Sequence, residues 1–235
     1  MFRPNPAIQR IPLGSSVVCV IDDALLEPER WVDQAEARID AFVEAPYNAY
    51  PGVELRLPSA LSATFAEYFD CHLRRDFGVK RTLRQHAKLA MVTRSEDQLQ
   101  PLQTIPHIDQ LSGVAGESVI ASVLYLFRDQ ALGGTSFYAP RFGQSQMQEL
   151  VNAASSMDAP VFASRYGIRR GYYAGSTDWF ERVLTVPPRW NRLIVYSGTV
   201  LHSGDIPAPQ RMVADARLGR LTLNAFLTCR RQLAA

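Results

Sequence analysis

Cysteine is scarce in this chain: Cys19, Cys71 and Cys229 are odd in number, far apart and without a CxxC pair. That argues against a disulfide scaffold or a zinc ribbon and fits a reducing compartment. Neither sign of charge is in excess, with 25 basic against 23 acidic residues and a formal net charge of +2. No basic run is dense enough to track phosphates, so no nucleic-acid partner is expected. No stretch approaches the roughly 20 consecutive apolar residues of a membrane span, and Met1 to Pro6 (MFRPNP) lacks the apolar region of a secretory signal. The expectation is a soluble, cytoplasmic protein with no membrane partner. No internal repeat, low-complexity tract or heptad pattern is present.

What is present is a chain of 235 residues, enough for one domain with a sizeable core. We read it as a single domain over 1–235, with 1–88 as N-terminal support and 89–228 as a β-rich core interrupted by an insertion at 141–188. Ser15 to Ile21 (SSVVCVI) reads as a strand, and Asp22-Asp23 as the N-cap of a helix over Ala24 to Val43. Pro46 to Pro58 reads as a loop, and Ser59 to Phe77 as a helix ending at Gly78. Leu83 to Thr93, Glu117 to Phe127 and Thr135 to Tyr138 read as strands, the last two joined as a hairpin across Arg128 to Gly134. Within the insertion, Ser145 to Ala154 and Thr177 to Leu184 read as helical. Asn191 to Ser197 and Val200 to Ser203 return to strand. In the final strand, Arg220 to Thr228, alternation puts Arg220, Thr222, Asn224 and Phe226 on a cavity face and Leu221, Leu223, Ala225 and Leu227 on a core face.

The chemistry-bearing pattern is His107-Ile108-Asp109. At strand spacing the imidazole and the carboxylate share a face, and one further imidazole would complete a two-His, one-carboxylate facial set suited to non-haem Fe(II), with positions left open. His202, in an apolar strand-turn setting, is the candidate. An HxD alone is a weak signal; its order with a Gly-Gly turn, a distant His and a strand opening on Arg is what raises it. A zinc site would more often recruit Cys or a third His. Arg220 can pair bidentately with a carboxylate. His72 and His86 read as packing or surface residues.

At His107-Ile-Asp109, Ser122-Val-Leu-Tyr125-Leu126, Gly133-Gly134-Thr-Ser-Phe137, Leu201-His202-Ser203-Gly204 and Gly219-Arg220-Leu-Thr222, the chain resembles the Fe(II)/2-oxoglutarate-dependent dioxygenases, in particular their prolyl-4-hydroxylase-like branch. The resemblance covers Leu89 to Leu227, and Val17 to Leu26 is similar to that branch's opening strand and helix. It implies a mainly β (α+β) fold, a double-stranded β-helix or jelly roll with N-terminal supporting helices. It also implies Fe(II) on His107, Asp109 and His202, with 2-oxoglutarate and dioxygen as co-substrates and ascorbate as a supporting reductant. Arg220 and Tyr125 would hold the distal carboxylate of 2-oxoglutarate; by face alternation alone Asn224 and Phe226 would line its channel, and Thr222, on the same face, joins Asn224 as a candidate co-substrate contact. An occupied carboxylate position, Asp109, favours hydroxylation over halogenation.

Two departures bear on this. The stretch from His202 to Arg220 is longer than in that branch, making Arg211 and Arg217 rivals for the carboxylate. The insertion is long enough for a lid, with Arg165, Arg169, Arg170, Tyr172 and Tyr173 as candidate substrate contacts. The alternatives are a non-catalytic cupin-like binding module that keeps a metal, and Zn or Mn in the same ligand set.

Overall fold

The computed structural model describes residues 1–44, 50–109 and 114–232. Eleven strands form two antiparallel sheets that face one another. In chain order they are β1 (Ile8–Leu13), β2 (Ser16–Ile21), β3 (Val43–Glu44), β4 (Gly52–Arg56), β5 (Val79–Val92), β6 (Glu117–Tyr125), β7 (Gly134–Pro140), β8 (Phe180–Val186), β9 (Leu193–Ser197), β10 (Leu201–Asp205) and β11 (Arg220–Arg231). The large sheet runs β1-β2-β9-β6-β11-β5-β4-β3 and the small one β10-β7-β8. This is a double-stranded β-helix, or jelly roll, as the sequence implied.

The alternation of β11 explains why the large sheet has two apolar faces. Leu221, Leu223, Ala225 and Leu227 pack outward with Leu89, Met91, Leu124 and Val195. Helices α1 (Glu29–Ala37) and α2 (Ser59–His72) cover that face with Trp31, Val32, Phe65 and Phe69. Each large apolar side chain buried there contributes about 1.5–3 kcal/mol. On the other face Val18, Val20, Val92, Tyr125, Ile194 and Tyr196 meet Phe137 and Val186 of the small sheet. This inner layer surrounds the candidate site.

Several expectations needed correction. The first helix is confined to Glu29–Ala37, because Pro28 stands at its start, Asp23 is left-handed (φ 52°) and Asp22 pairs with Arg192 and Arg189 instead of capping. The expected loop over 46–58 contains β4, paired with β5; its first residues, 46–49, lie outside the described residues. Strands β6 and β7 belong to different sheets and are not a hairpin. The Gly133-Gly134 crossover runs so close to other backbone that a Cβ on Gly133 would sit 1.8 Å from the Asp205 carbonyl oxygen. Thr177 to Leu184 is not helical: β8 occupies most of it and pairs with β7, burying Phe180 and Val186. The helices of this region are α3 (Gln144–Ser156) and α4 (Ala159–Tyr166). They pack on Tyr138 and on Leu102 and Ile105, behind the segment that delivers His107.

Candidate metal centre and anion pocket

His107, which lies outside any strand, pairs with His202 of β10 through a single antiparallel bridge. His107 N–H donates to the His202 carbonyl (3.0 Å) and His202 N–H to the His107 carbonyl (2.9 Å), so the two rings lie 4.4 Å apart. Two residues on, the Asp109 N–H donates to the Gly198 carbonyl (2.9 Å), which fixes the carboxylate beside them. One ligand atom from each of His107, Asp109 and His202 lies within 4.8 Å of the others. The approach to His107 is ordered by a 3₁₀ turn over Pro101–Thr104, where the Gln103 side chain bonds back to the Gln100 N–H and donates to the Tyr50 carbonyl.

The electrostatics of the cluster fit a cation. His202 Nδ1 lies 3.0 Å from the Val200 carbonyl, which assigns the Nδ1–H tautomer and leaves Nε2 a bare lone pair. Burial pushes His202 down to about 4, so the ring is neutral at ordinary pH. Its Nε2 faces Asp109 Oδ2 at 3.3 Å, and that oxygen is sealed from solvent without a satisfactory hydrogen-bond donor. Burial raises Asp109 above the usual carboxylate range, while the Tyr196 hydroxyl favours its ionised form. Burial and the neighbouring His202 also lower His107, whose side chain, 41 % exposed, forms the rim of the cluster. Two neutral imidazoles and a carboxylate with lone pairs converging are an intermediate-to-hard donor set of the kind Fe(II) takes.

Arg220 opens β11 on the same inner face and is 4 % exposed. Its Nε and Nη2 donate to the Gly133 and Gly134 carbonyls at 3.2 and 2.8 Å, and Phe127 packs against it, ring centroid 5.7 Å from Cζ. Among the described residues no carboxylate lies within 4 Å of it. Instead Tyr50, Tyr125, Tyr172 and Tyr196 all feel its charge. The rivals lie elsewhere: Arg211 pairs with Asp129 and Arg217 with Asp33 and Glu36, all well exposed.

The other predicted positions divide. Tyr125 is fully buried and its hydroxyl donates to Thr135 Oγ1 at 2.9 Å, one residue from the carbonyls that hold Arg220. Thr222 donates to the Ala90 carbonyl (3.4 Å). Asn224 is 7 % exposed and its Oδ1 has no partner among the described residues. In the insertion, Arg165 sits near Glu149, Arg169 pairs with Glu96 and Arg170 donates to the Asp97 carbonyl, none of them in the metal cluster. Tyr173 packs with Tyr138 and Phe180, and only Tyr172 enters the inner layer. Tyr196, Tyr50 and Thr135 were missed. Tyr196 was legible, because alternation in Leu193–Ser197 puts it with Ile194 on the inner face; Tyr50 and Thr135 reach the site only through tertiary contacts.

The fold and the cluster define a jelly-roll protein with a candidate two-histidine, one-aspartate metal centre. The chain belongs to the family described as "Family of unknown function (DUF6445)", whose sequence profile matches residues 4–227. No curated protein matches it. Among solved structures, a prolyl 4-hydroxylase from Phytophthora capsici is similar at 14 % identity and a TM-score of 0.43, over 93 % of this chain and 60 % of that one. The chain therefore spans less than two thirds of that protein's length. The non-heme alpha ketoglutarate dependent epimerase SnoN from nogalamycin biosynthesis is similar at 13 % identity and a TM-score of 0.48, covering 93 % and 82 %. HygX from Streptomyces hygroscopicus, solved with nickel and 2-oxoglutarate, is similar at 13 % identity and a TM-score of 0.47, covering 91 % and 82 %. Among the described residues no helix is long and apolar enough to cross a membrane.

Proposed function

We propose that the chain is an Fe(II)- and 2-oxoglutarate-dependent oxygenase that hydroxylates a C–H bond of an amino acid, a peptide or protein side chain, or a small metabolite. The observation that carries this reading is Arg220: a guanidinium 4 % exposed, without a carboxylate partner among the described residues, in the interior that also holds the His107–Asp109–His202 cluster. An isolated buried charge is costly, by several kcal/mol in round terms, so its retention calls for an anion, and a dicarboxylate that also reaches the metal supplies one.

His107, Asp109 and His202 would hold the metal, with the Val200 carbonyl fixing the His202 tautomer and the Tyr196 hydroxyl favouring the ionised form of Asp109 against the burial that raises it. Among the described residues Arg220 Nη1 has no hydrogen-bond partner, so it can receive a carboxylate while the Gly133 and Gly134 carbonyls keep the guanidinium aimed. Tyr125 donates to Thr135 Oγ1, which leaves the Thr135 hydroxyl proton to be directed at the same anion. Bound Fe(II) with 2-oxoglutarate and dioxygen would supply the oxidising power for hydroxylation, with succinate and carbon dioxide as co-products. The apolar inner wall, including Phe137, Val186 and Ile194, keeps water from the reacting carbon. Anaerobic calorimetric titration of 2-oxoglutarate into Fe(II)-loaded protein tests the reading: saturable 1:1 binding that needs both the metal and Arg220 is expected, and metal-independent binding or none contradicts it.

A further inference from the structure

The inner face of the large sheet continues past the metal cluster as a row of charged side chains. Strand register sets the row: β11 aligns Asn224 with Lys88, Phe226 with His86, Thr228 with Arg84 and Arg230 with Arg81, while β4 sets Arg56 beside Lys88. On the other side of β11, Arg230 aligns with Glu117 of β6. Five cations, Arg56, Lys88, Arg84, Arg81 and Arg230, therefore share this face with two carboxylates. Both carboxylates are engaged, Glu54 by Lys88 and Glu117 by Arg84. Arg56, Arg81 and Arg230 are exposed, and among the described residues none has a carboxylate within 4 Å. The chain as a whole is nearly neutral, so the sheet, not the composition, concentrates this charge.

The lane is electrostatically continuous with the metal cluster. Burial lowers His86, Lys88 and Arg56 push it further, and Glu54 and Asp109 pull it back, so one imidazole feels the lane and a candidate ligand together. His86 stacks on Phe226 at 4.9 Å, leaving an apolar step between the charged ends. From Asn224 to Arg230 the lane runs about 20 Å at ~3.3 Å per strand residue. That is longer than a small metabolite and matches about six residues of extended polypeptide.

We propose that this lane, from Arg56 and Lys88 beside the metal cluster to Arg81 and Arg230 at the end of the sheet, docks an extended acidic polypeptide segment, so that the prime substrate is a residue within such a segment. The substrate assignment rests on the oxygenase reading above; the docking does not. A nucleic-acid strand fits less well, since its phosphates would bring about six charges over this length and meet Glu54 and Glu117 on the way. Carboxylates spaced along a peptide can engage the three unpaired arginines and leave the two glutamates to neutral residues.

The test is fluorescence anisotropy with the metal-free protein and three labelled probes: a Glu/Gly peptide, a Lys/Gly peptide and an oligothymidylate. The Glu/Gly peptide should bind best and weaken with added salt. R81E/R230E should bind it at least about tenfold more weakly, given two reversed exposed charges, while R211Q, whose guanidinium pairs with Asp129 away from the lane, should bind as the wild type does. Thermal melting confirms folding of the variants, and R81Q/R230Q replaces the reversal if that does not fold. Undiminished binding by the charge variants, binding indifferent to salt, preference for oligothymidylate, or no binding of the Glu/Gly peptide would each overturn the docking. Absence of 2-oxoglutarate turnover by the iron-loaded wild type, with docking intact, would overturn the oxygenase reading alone.

Discussion

His202 Nε2 and Asp109 Oδ2 face each other at 3.3 Å with no proton assigned between them, because the His202 Nδ1 proton points to the Val200 carbonyl. Two such lone pairs repel unless a cation lies between them. Fe(II) or Mn(II), added anaerobically, should therefore raise the thermal stability of the wild type, by about 2.7 kcal/mol at a hundredfold excess over Kd. His202→Ala should melt without a metal-dependent shift. A shift that survives in His202→Ala would place the metal elsewhere.

Tyr196 stands beside the candidate ligands without being one: its ring lies 4.7 Å from that of His202, and its hydroxyl favours the ionised form of Asp109. Tyr196→Phe keeps the ring that packs on Phe137 and His202 and removes only the hydroxyl. Metal affinity should fall about 10- to 100-fold, the usual range for a lost outer partner, with the melting profile of the metal-free protein little changed. Unaltered affinity would remove Tyr196 from the centre.

Arg220→Ala should weaken 2-oxoglutarate binding by about 2–5 kcal/mol, the cost of losing one partner of a buried charge pair. Arg220→Lys should recover only part of this, since an ammonium cannot form the bidentate fork. Arg211→Ala and Arg217→Ala should bind normally, because their guanidiniums face Asp129 and the acidic side of α1. Calorimetry on the four variants decides among the three arginines.

Much of this was legible in the sequence because it depends on short periodicities. The i, i+2 spacing of His107 and Asp109 suggests that they converge, though they do so from a single bridge and a bend, not from a strand; alternation separates the two faces of β11, and in Leu193–Ser197 the same rule yields Tyr196. Features set by tertiary pairing were not legible. Thr177 to Leu184 reads as helical in the sequence because a strand whose partner, β7, lies far upstream shows no local signal for that partner. Asp22 reads as a cap in the sequence because its guanidinium partners, Arg192 and Arg189, lie far along the chain. The lane of Arg56, Lys88, Arg84, Arg81 and Arg230 is invisible in composition, since only the register of β4, β5 and β11 assembles it.

The Asp22–Arg192 pair predicts an acid-side loss of stability. Hydrogen bonding to Arg192 lowers Asp22 from its ordinary 3.8, so between the folded and unfolded values the unfolded chain binds more protons. The contribution is fully present above about the ordinary value and is lost as pH falls through the lowered one. Urea denaturation of the wild type and Asp22→Asn across acid pH should show the curves converging as the medium becomes more acidic. Parallel curves would mean that the pair contributes nothing to the pH dependence.

The most direct test of the central claim is succinate formation from 2-oxoglutarate by the purified protein under air, with Fe(II) and ascorbate and no added substrate. The account predicts slow, iron-dependent turnover in the wild type that disappears in Asp109→Ala and in Arg220→Ala. No succinate from a protein that binds iron at His107, Asp109 and His202, or equal succinate from wild type and Asp109→Ala, would contradict it.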